Sequence, residues 1–297
     1  MRVAFIGCVQ FSEEILRTLI EGRIEIVGVV TKTRSAFNAD FADLTPLAEA
    51  NRIPVHHQQG ADASGLGAWL SARAPDLVIC VGWPNLLPTD VLTAAPDGVI
   101  GYHPTYLPKN RGRHPIIWAL ALGLEETAST FFRMDEGADS GPIASQVQVS
   151  IGPDDDAATL YARLLYVAKR QIVEVVNGFA AGTLTLQPQN EAASNSWRKR
   201  SKIDGRVDWR MPAASIHNLV RALAPPYPGA YCALRDGETV REVPLRRARV
   251  VPCIERNLEP GKVLGVSDGA VRVKAGVDAI ELMDHGFDPL PKVGDYL

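Results

Sequence analysis

Through the first half of the chain, short apolar runs alternate with segments of helical period, and that order leaves few topologies open. Val3–Val9 reads as a strand. Residues 12–19 (SEEILRTL) are amphipathic, with Ser12 as the expected N-cap. Ile24–Thr31 and Ile53–His57 read as further strands, separated by a short helix at Thr45–Asn51. A helix at Leu66–Arg73 precedes Asp76–Val81, a continuous apolar run of the kind buried on both faces of a sheet, and Val99–His103 comes next as another strand. A βαβα order of this kind predicts a doubly wound, mostly parallel α/β sheet. Such sheets bind ligands outside the carboxyl ends of their strands, so the residues after Val81 and around His103 lie where chemistry is expected.

The pattern changes in the second half. Ser129–Met134 and Ile143–Ile151 read as strands, and a long helix is expected from Asp156 to Phe179, with Leu160, Leu164, Ile172 and Val176 on its packing face. Residues 182–206 are polar and irregular. Beyond Val207, one helix (Ala213–Leu223) is followed by short Gly- and Pro-bounded strands, a pattern that fits a small OB-like β-barrel. The expected division is a catalytic domain at 1–190, a linker at 191–206 and a C-terminal β-barrel domain at 207–297.

Charge and cysteine usage exclude several classes. A net charge of −3 and a pI near 6.1 give no global field for nucleic acid. The one basic run, Trp197-Arg198-Lys199-Arg200-Ser201-Lys202, reads either as a solvated face or as a contact for an anion. Cys8, Cys80, Cys232 and Cys253 form no C-x-x-C pair, which fits thiols in a reducing cytoplasm. The six histidines are too dispersed for a metal site. No apolar stretch reaches the length of a membrane span, and the chain enters its first strand without a signal-like segment.

The densest polar constellation is the stretch 98–118, GVIGYHPTYLPKNRGRHPIIW. A strand delivers His103, Pro104 and Pro108 stiffen the backbone beyond it, and Gly112 permits a tight approach before a helix at Pro115–Leu124. A histidine held in this way can carry a proton near neutral pH; the bland alternative is a satisfied core histidine. Downstream, Met134-Asp135-Glu136-Gly137-Ala138-Asp139-Ser140-Gly141 brings three carboxylates among glycines, which reads as a functional loop or as a plain Asx-turn. Spacing alone does not rank Asp135, Glu136 and Asp139. Gly7-Cys8-Val9-Gln10 lacks the later glycines of a dinucleotide-binding turn, which argues against a dehydrogenase.

The pattern His-Pro-x-x-Leu-Pro-x-x-Arg-Gly at 103–112, with Asp139-x-Gly141 downstream, resembles the formyltransferase family. The likeness extends to Phe5-Ile6-Gly7 at the start. Near the end it includes residues 204–209 (DGRVDW), 218–223 (NLVRAL) and 226–230 (PYPGA). The resemblance implies His103 and Asp139 as the catalytic residues and 10-formyltetrahydrofolate as the formyl donor. It also implies that the loop Gly82, Trp83, Pro84, Asn85, Leu86 binds the pterin ring. The family's asparagine two residues before the histidine is Gly101 here, so one expected oxyanion donor is missing; such a donor is worth about 3 kcal/mol.

The same resemblance leads to an expected acceptor, the amine of a nucleotide-linked amino sugar, with Lys109, Arg111 and Thr105 as substrate contacts. No nucleic acid, membrane or metal partner is expected, and a homodimer is compatible with this reading. The segment Thr31–Asp43 is short of basic charge and of glycine, which counts against tRNA. Methionyl-tRNA formyltransferase is the alternative. A non-catalytic folate-binding module or a formyltetrahydrofolate hydrolase is the second alternative.

Overall fold

The computed structural model describes residues 1–34, 39–58, 63–236 and 239–297, with the side chains of Arg235 and Asp236 excluded. Part of the segment weighed for tRNA contact, residues 35–38, therefore lies outside the described residues. The elements in chain order are β1 (Arg2–Ile6), α1 (Gln10–Glu21), β2 (Glu25–Thr31), α2 (Thr45–Ala50), β3 (Val55–His57), α3 (Leu66–Ser71) and β4 (Leu77–Cys80). They continue with α4 (Thr89–Leu92), β5 (Val99–His103), β6 (Arg111–Gly112), α5 (Pro115–Ala121), β7 (Glu126–Arg133), β8 (Ile143–Ser150) and α6 (Ala157–Ala180). The last are β9 (Ser196–Trp197), α7 (Ala213–Ala222), β10 (Ala230–Asp236), β11 (Thr239–Val251), β12 (Val263–Ser267), β13 (Ala270–Lys274) and β14 (Ala279–His285).

The chain divides into two compact units. The first holds Met1–Pro115, Thr127–Ser150 and Ala162–Trp197; the second holds Ile116–Glu126, Ile151–Tyr161 and Arg198–Leu297. The expected linker at 191–206 differs from this division, because its first half is structured within the first unit: Ser196–Trp197 pairs in parallel with Arg111–Gly112.

The first unit is built on a seven-stranded sheet in the order β3-β2-β1-β4-β5-β7-β8. Pairings are parallel from β3 through β5, and β7 turns back antiparallel to β5. The doubly wound, mostly parallel sheet read from the sequence is present. Its central strands are buried on both faces: all four residues of β4 are buried, and Ala4, Ile6, Val78, Cys80 and Val99 share one core with Leu66, Leu70 and Val91. Burial among apolar neighbours also pushes the Cys80 thiol well above the ordinary range.

The order reverses between β1 and β4, and there two turns meet. Gly82 has a φ of 64°, and a Cβ on Gly7 would lie 2.5 Å from Ser12 Cβ. Ser12 Oγ donates to the Val81 carbonyl at 2.6 Å and accepts the Val9 N–H at 3.3 Å. The helix thus starts earlier than expected: Val9 is the N-cap and Ser12 is the third helical residue, its hydroxyl reaching back.

The second unit carries the antiparallel sheet β10-β11-β14-β13-β12. Val243, Leu245, Val271, Val273, Ile280 and Leu282 are buried in it, and α7 packs Ile216, Leu219 and Val220 on the β11 side. The basic run divides. Arg198 forms a two-pronged pair with Asp204, while Arg200 is buried with its guanidinium 4.6 Å from the Trp118 ring centroid. The Arg198 guanidinium holds the Asp204 carboxyl far below its usual value. Lys202 is exposed and pairs with Glu242 at 2.7 Å.

Candidate active site

β5 ends in His103, which is 5% exposed. Beyond it the chain makes a tight loop whose carbonyls are gripped from neighbouring strands. Pro104 accepts from Thr127 Oγ1 at 2.8 Å, Thr105 from Thr130 Oγ1 at 2.7 Å and Leu107 from Gln146 Nε2 at 3.1 Å. The Leu107–Pro108 peptide is cis.

The imidazole is held at one nitrogen and flanked by a carboxylate at the other. Nε2 lies 2.9 Å from the Asn110 carbonyl oxygen, and Nδ1 lies 3.6 Å from Asp139 Oδ2. A carbonyl oxygen only accepts, so Nε2 carries a proton and Nδ1 is the nitrogen free to gain or lose one. Asp139 Oδ2 also accepts the Gly112 N–H at 2.9 Å. The carboxylate is thereby fixed beside Nδ1 without closing on it.

This arrangement ranks the three carboxylates. Asp135 Oδ1 accepts from the Gly137 N–H at 3.0 Å and from Ser140 Oγ at 2.7 Å, a local turn. Glu136 is exposed and accepts from Thr89 Oγ1 at 3.1 Å. Asp139 alone of the three reaches His103.

Two of the expected substrate contacts need correction. Thr105 is fully buried and its hydroxyl donates to the Lys109 carbonyl at 3.0 Å, so it shapes the loop instead of facing a ligand. Arg111 is also buried. Its Nε and Nη2 donate to Gln189 Oε1 at 3.2 and 2.8 Å, and its Nη1 and Nη2 donate to the Glu191 carboxylate at 2.9 and 2.6 Å. The hydrogen-bonded Glu191 carboxylate raises the Arg111 pKa further, and the guanidinium is fully engaged inside the protein. Lys109 is exposed.

At Gly101 the structure gives a reason for the missing asparagine. A Cβ there would lie 2.8 Å from Met134 Cγ, 3.0 Å from Met134 Sδ and 3.2 Å from the Phe132 ring. Residues 101 and 103 point to the same face of β5. The space beside His103 is therefore filled by a thioether, which cannot donate a hydrogen bond.

The loop after β4 is held differently. The Gly82 carbonyl accepts from Cys8 Sγ at 3.4 Å and the Pro84 carbonyl from Arg113 Nη1 at 3.0 Å. Trp83 is half-buried against the core with Lys32 Nζ 4.9 Å from its ring centroid, Asn85 is half-buried, and Leu86 is 70% exposed.

Gln189, Glu191, Arg113, Met134 and Asn195, whose Oδ1 accepts the Asn110 N–H at 2.8 Å, are residues that sequence reasoning does not single out. Gln189, Glu191 and Asn195 lie in a polar stretch without periodicity, and nothing in that stretch ties it to a loop roughly eighty residues earlier, as the three are to Arg111 and Asn110. Among the described residues, no group of three or more His, Cys, Asp and Glu is placed to hold a metal, and no helix is long and apolar enough to cross a membrane.

Residues 1–176 match the family model described as Formyl transferase, and residues 199–287 match that described as Formyl transferase, C-terminal domain. A methionyl-tRNA formyltransferase of Brucella anthropi is 34% identical, over 98% of this chain and 95% of that protein. A second, from Geobacter metallireducens, is 32% identical over 95% of this chain and 89% of that protein. Among solved structures, HypX from Aquifex aeolicus superposes with a TM-score of 0.68 at 21% identity; the match covers 96% of this chain but only 44% of HypX. An N-formyltransferase from Helicobacter canadensis, solved with folinic acid and dTDP-3-aminofucose, gives a TM-score of 0.73 at 14% identity, over 94% of this chain and 98% of that one.

These comparisons overturn the expected acceptor. The relatives that share a third of their residues over nearly the whole length are methionyl-tRNA formyltransferases, whereas the sugar-nucleotide enzyme shares only the fold. The expectation that nucleic acid plays no part falls with it. Its physical weakness is averaging: residues 198–297 hold 17 Lys and Arg against 13 Asp and Glu, an excess that the chain-wide −3 conceals.

Proposed function

This chain belongs to the formyl transferase family, and we propose that it transfers the formyl group of 10-formyltetrahydrofolate to the amino group of methionyl-tRNA. The observation that carries the acceptor is the identity of 34% to a methionyl-tRNA formyltransferase across almost all of both chains.

The chemistry rests on the two held side chains. The neutral amine attacks the formyl carbon, giving a tetrahedral intermediate; its nitrogen loses one proton, and the bond from carbon to folate N10 breaks as N10 gains a proton. His103, with Nε2–H fixed on the Asn110 carbonyl, takes the amine proton at Nδ1. Once protonated there, Nδ1–H becomes a donor for the oxyanion, a task no side chain at Gly101 can share. Asp139, with Oδ2 3.6 Å from Nδ1, orients the ring.

In this reading Gly82, Trp83, Pro84, Asn85 and Leu86 hold the pterin ring against their backbone, and exposed Lys109 meets acceptor phosphate. The basic excess of residues 198–297 supports a C-terminal domain that grips tRNA. The enzyme works in the cytoplasm, where its four cysteines stay thiols.

The test is to combine purified protein, 10-formyltetrahydrofolate and methionyl-tRNA, following tetrahydrofolate release and the mass of the aminoacyl group. One added formyl group per methionine is expected, and His103→Ala and Asp139→Ala should each lower the rate by about 10²- to 10⁴-fold. Release of formate at the same rate without acceptor would mean a hydrolase, and folate binding without turnover would mean a binding module; either result sinks the proposal.

A further inference from the structure

The proposed catalytic pair comes from two loops, and one side chain from the 187–197 segment is bonded to both. Gln189 Nε2 donates to the carbonyls of Asp139 and Gly141, at 2.8 and 2.6 Å. Its Oε1 accepts from Arg111 Nε and Nη2, at 3.2 and 2.8 Å. An amide offers two N–H donors and two lone pairs, and here all four are used. The orientation is unique: guanidinium groups only donate and carbonyls only accept, so a flipped amide would turn every contact repulsive.

What Gln189 grips also needs gripping. Asp139 adopts a φ of 56°, a left-handed conformation that costs a non-glycine residue about 1 kcal/mol. The Gly112 N–H on its carboxylate comes from the residue next to Arg111, so the His103 loop and the Asp139 loop are joined at two points. One is that carboxylate and the other is the Gln189 amide. Arg111 is anchored in turn by Glu191, two residues beyond Gln189.

We propose that Gln189 is a positioning residue that sets the separation between His103 Nδ1 and the Asp139 carboxylate. The inference rests on the catalytic reading of that pair. It gives the segment after α6 a task that its polar, irregular sequence does not announce.

Gln189→Glu separates the two halves of the role. Glutamate keeps the lone pairs that Arg111 needs but has no N–H, and its charge faces two carbonyl oxygens. We expect the fold to be kept through the pairing with Arg111, a kcat lower by about 10²-fold and KM values for folate and methionyl-tRNA within about threefold, as a misplaced reacting group produces. Gln189→Met removes both halves and should add a lower Tm to the same loss of kcat. Wild-type kcat in Gln189→Glu overturns the proposal, and so does a loss confined to Gln189→Met, which would leave Gln189 a brace for Arg111 alone. His103→Ala and Asp139→Ala are measured in parallel. If they keep full rate, the catalytic reading has failed; if they lose it while Gln189→Glu does not, only the role of Gln189 has failed.

Discussion

Two loops leave the carboxyl ends of adjacent parallel strands, and they are held in opposite ways. The one after β5, from Pro104 to Gly112, has its carbonyls bonded by Thr127, Thr130 and Gln146, its arginine buried on Gln189 and Glu191, and its last residues paired as a strand with Ser196–Trp197. The one after β4, from Gly82 to Leu87, rests on few polar contacts, a half-buried indole and an exposed leucine. The difference matches the proposed tasks. A proton must move across a fixed gap, so its carriers are locked, whereas a flat ring can be recognised by backbone and apolar surface that closes on it.

Breaking the braced loop should have the largest effect. Gly112 has a φ of 102°, and a Cβ there would lie 2.3 Å from the Trp197 carbonyl oxygen, so Gly112→Ala should cost about 2–4 kcal/mol in urea unfolding and most of the activity. Leu86→Ala in the open loop should change stability by less than about 0.5 kcal/mol. Equal losses from the two would mean that the loops are not held differently.

A smaller effect is expected beneath the braced loop. Gly101→Asn should lose about 1–3 kcal/mol by overpacking against Met134, and the double variant with Met134→Ala should recover part of it in the same unfolding assay. A single variant as stable as wild type would show that Met134 yields freely.

The smallest effect is a matter of pH. Arg111 holds the Glu191 carboxyl below its ordinary value of 4.5, so the pairing is complete above that pH and is lost as pH falls through the lowered value. The Tm difference between wild type and Glu191→Gln should therefore be largest near neutrality and close below pH 4.5. A difference that grows on acidification would reverse the sign and remove Glu191 from the brace.

Much of the fold and part of the site are legible in the sequence, for identifiable reasons. The sheet can be read because β4 is apolar throughout and α1 amphipathic, signals that depend only on neighbours along the chain. His103 and Asp139 can be read because a patterned motif contains them. Ser12 is easily misplaced because serine serves equally as N-cap or, from the third helical position, as a hydroxyl reaching backwards. Arg111 reads as a ligand contact because its true partners lie 78 and 80 residues later in a stretch with no period. Met134 beside Gly101 depends on the antiparallel register of β5 with β7, which places Phe132 opposite Gly101, and no single segment encodes that register.

The bond from His103 Nε2 to the Asn110 carbonyl also governs how the enzyme is readied for its next turnover. With that proton tied to a group that cannot take it up, the ring does not relay charge from one edge to the other. In the proposed reaction, a proton gained at Nδ1 must therefore leave from Nδ1, passing to folate N10 as its bond to the formyl carbon breaks. One edge of one ring thus serves both halves of the transfer, and the histidine ends each turnover in the state in which it began.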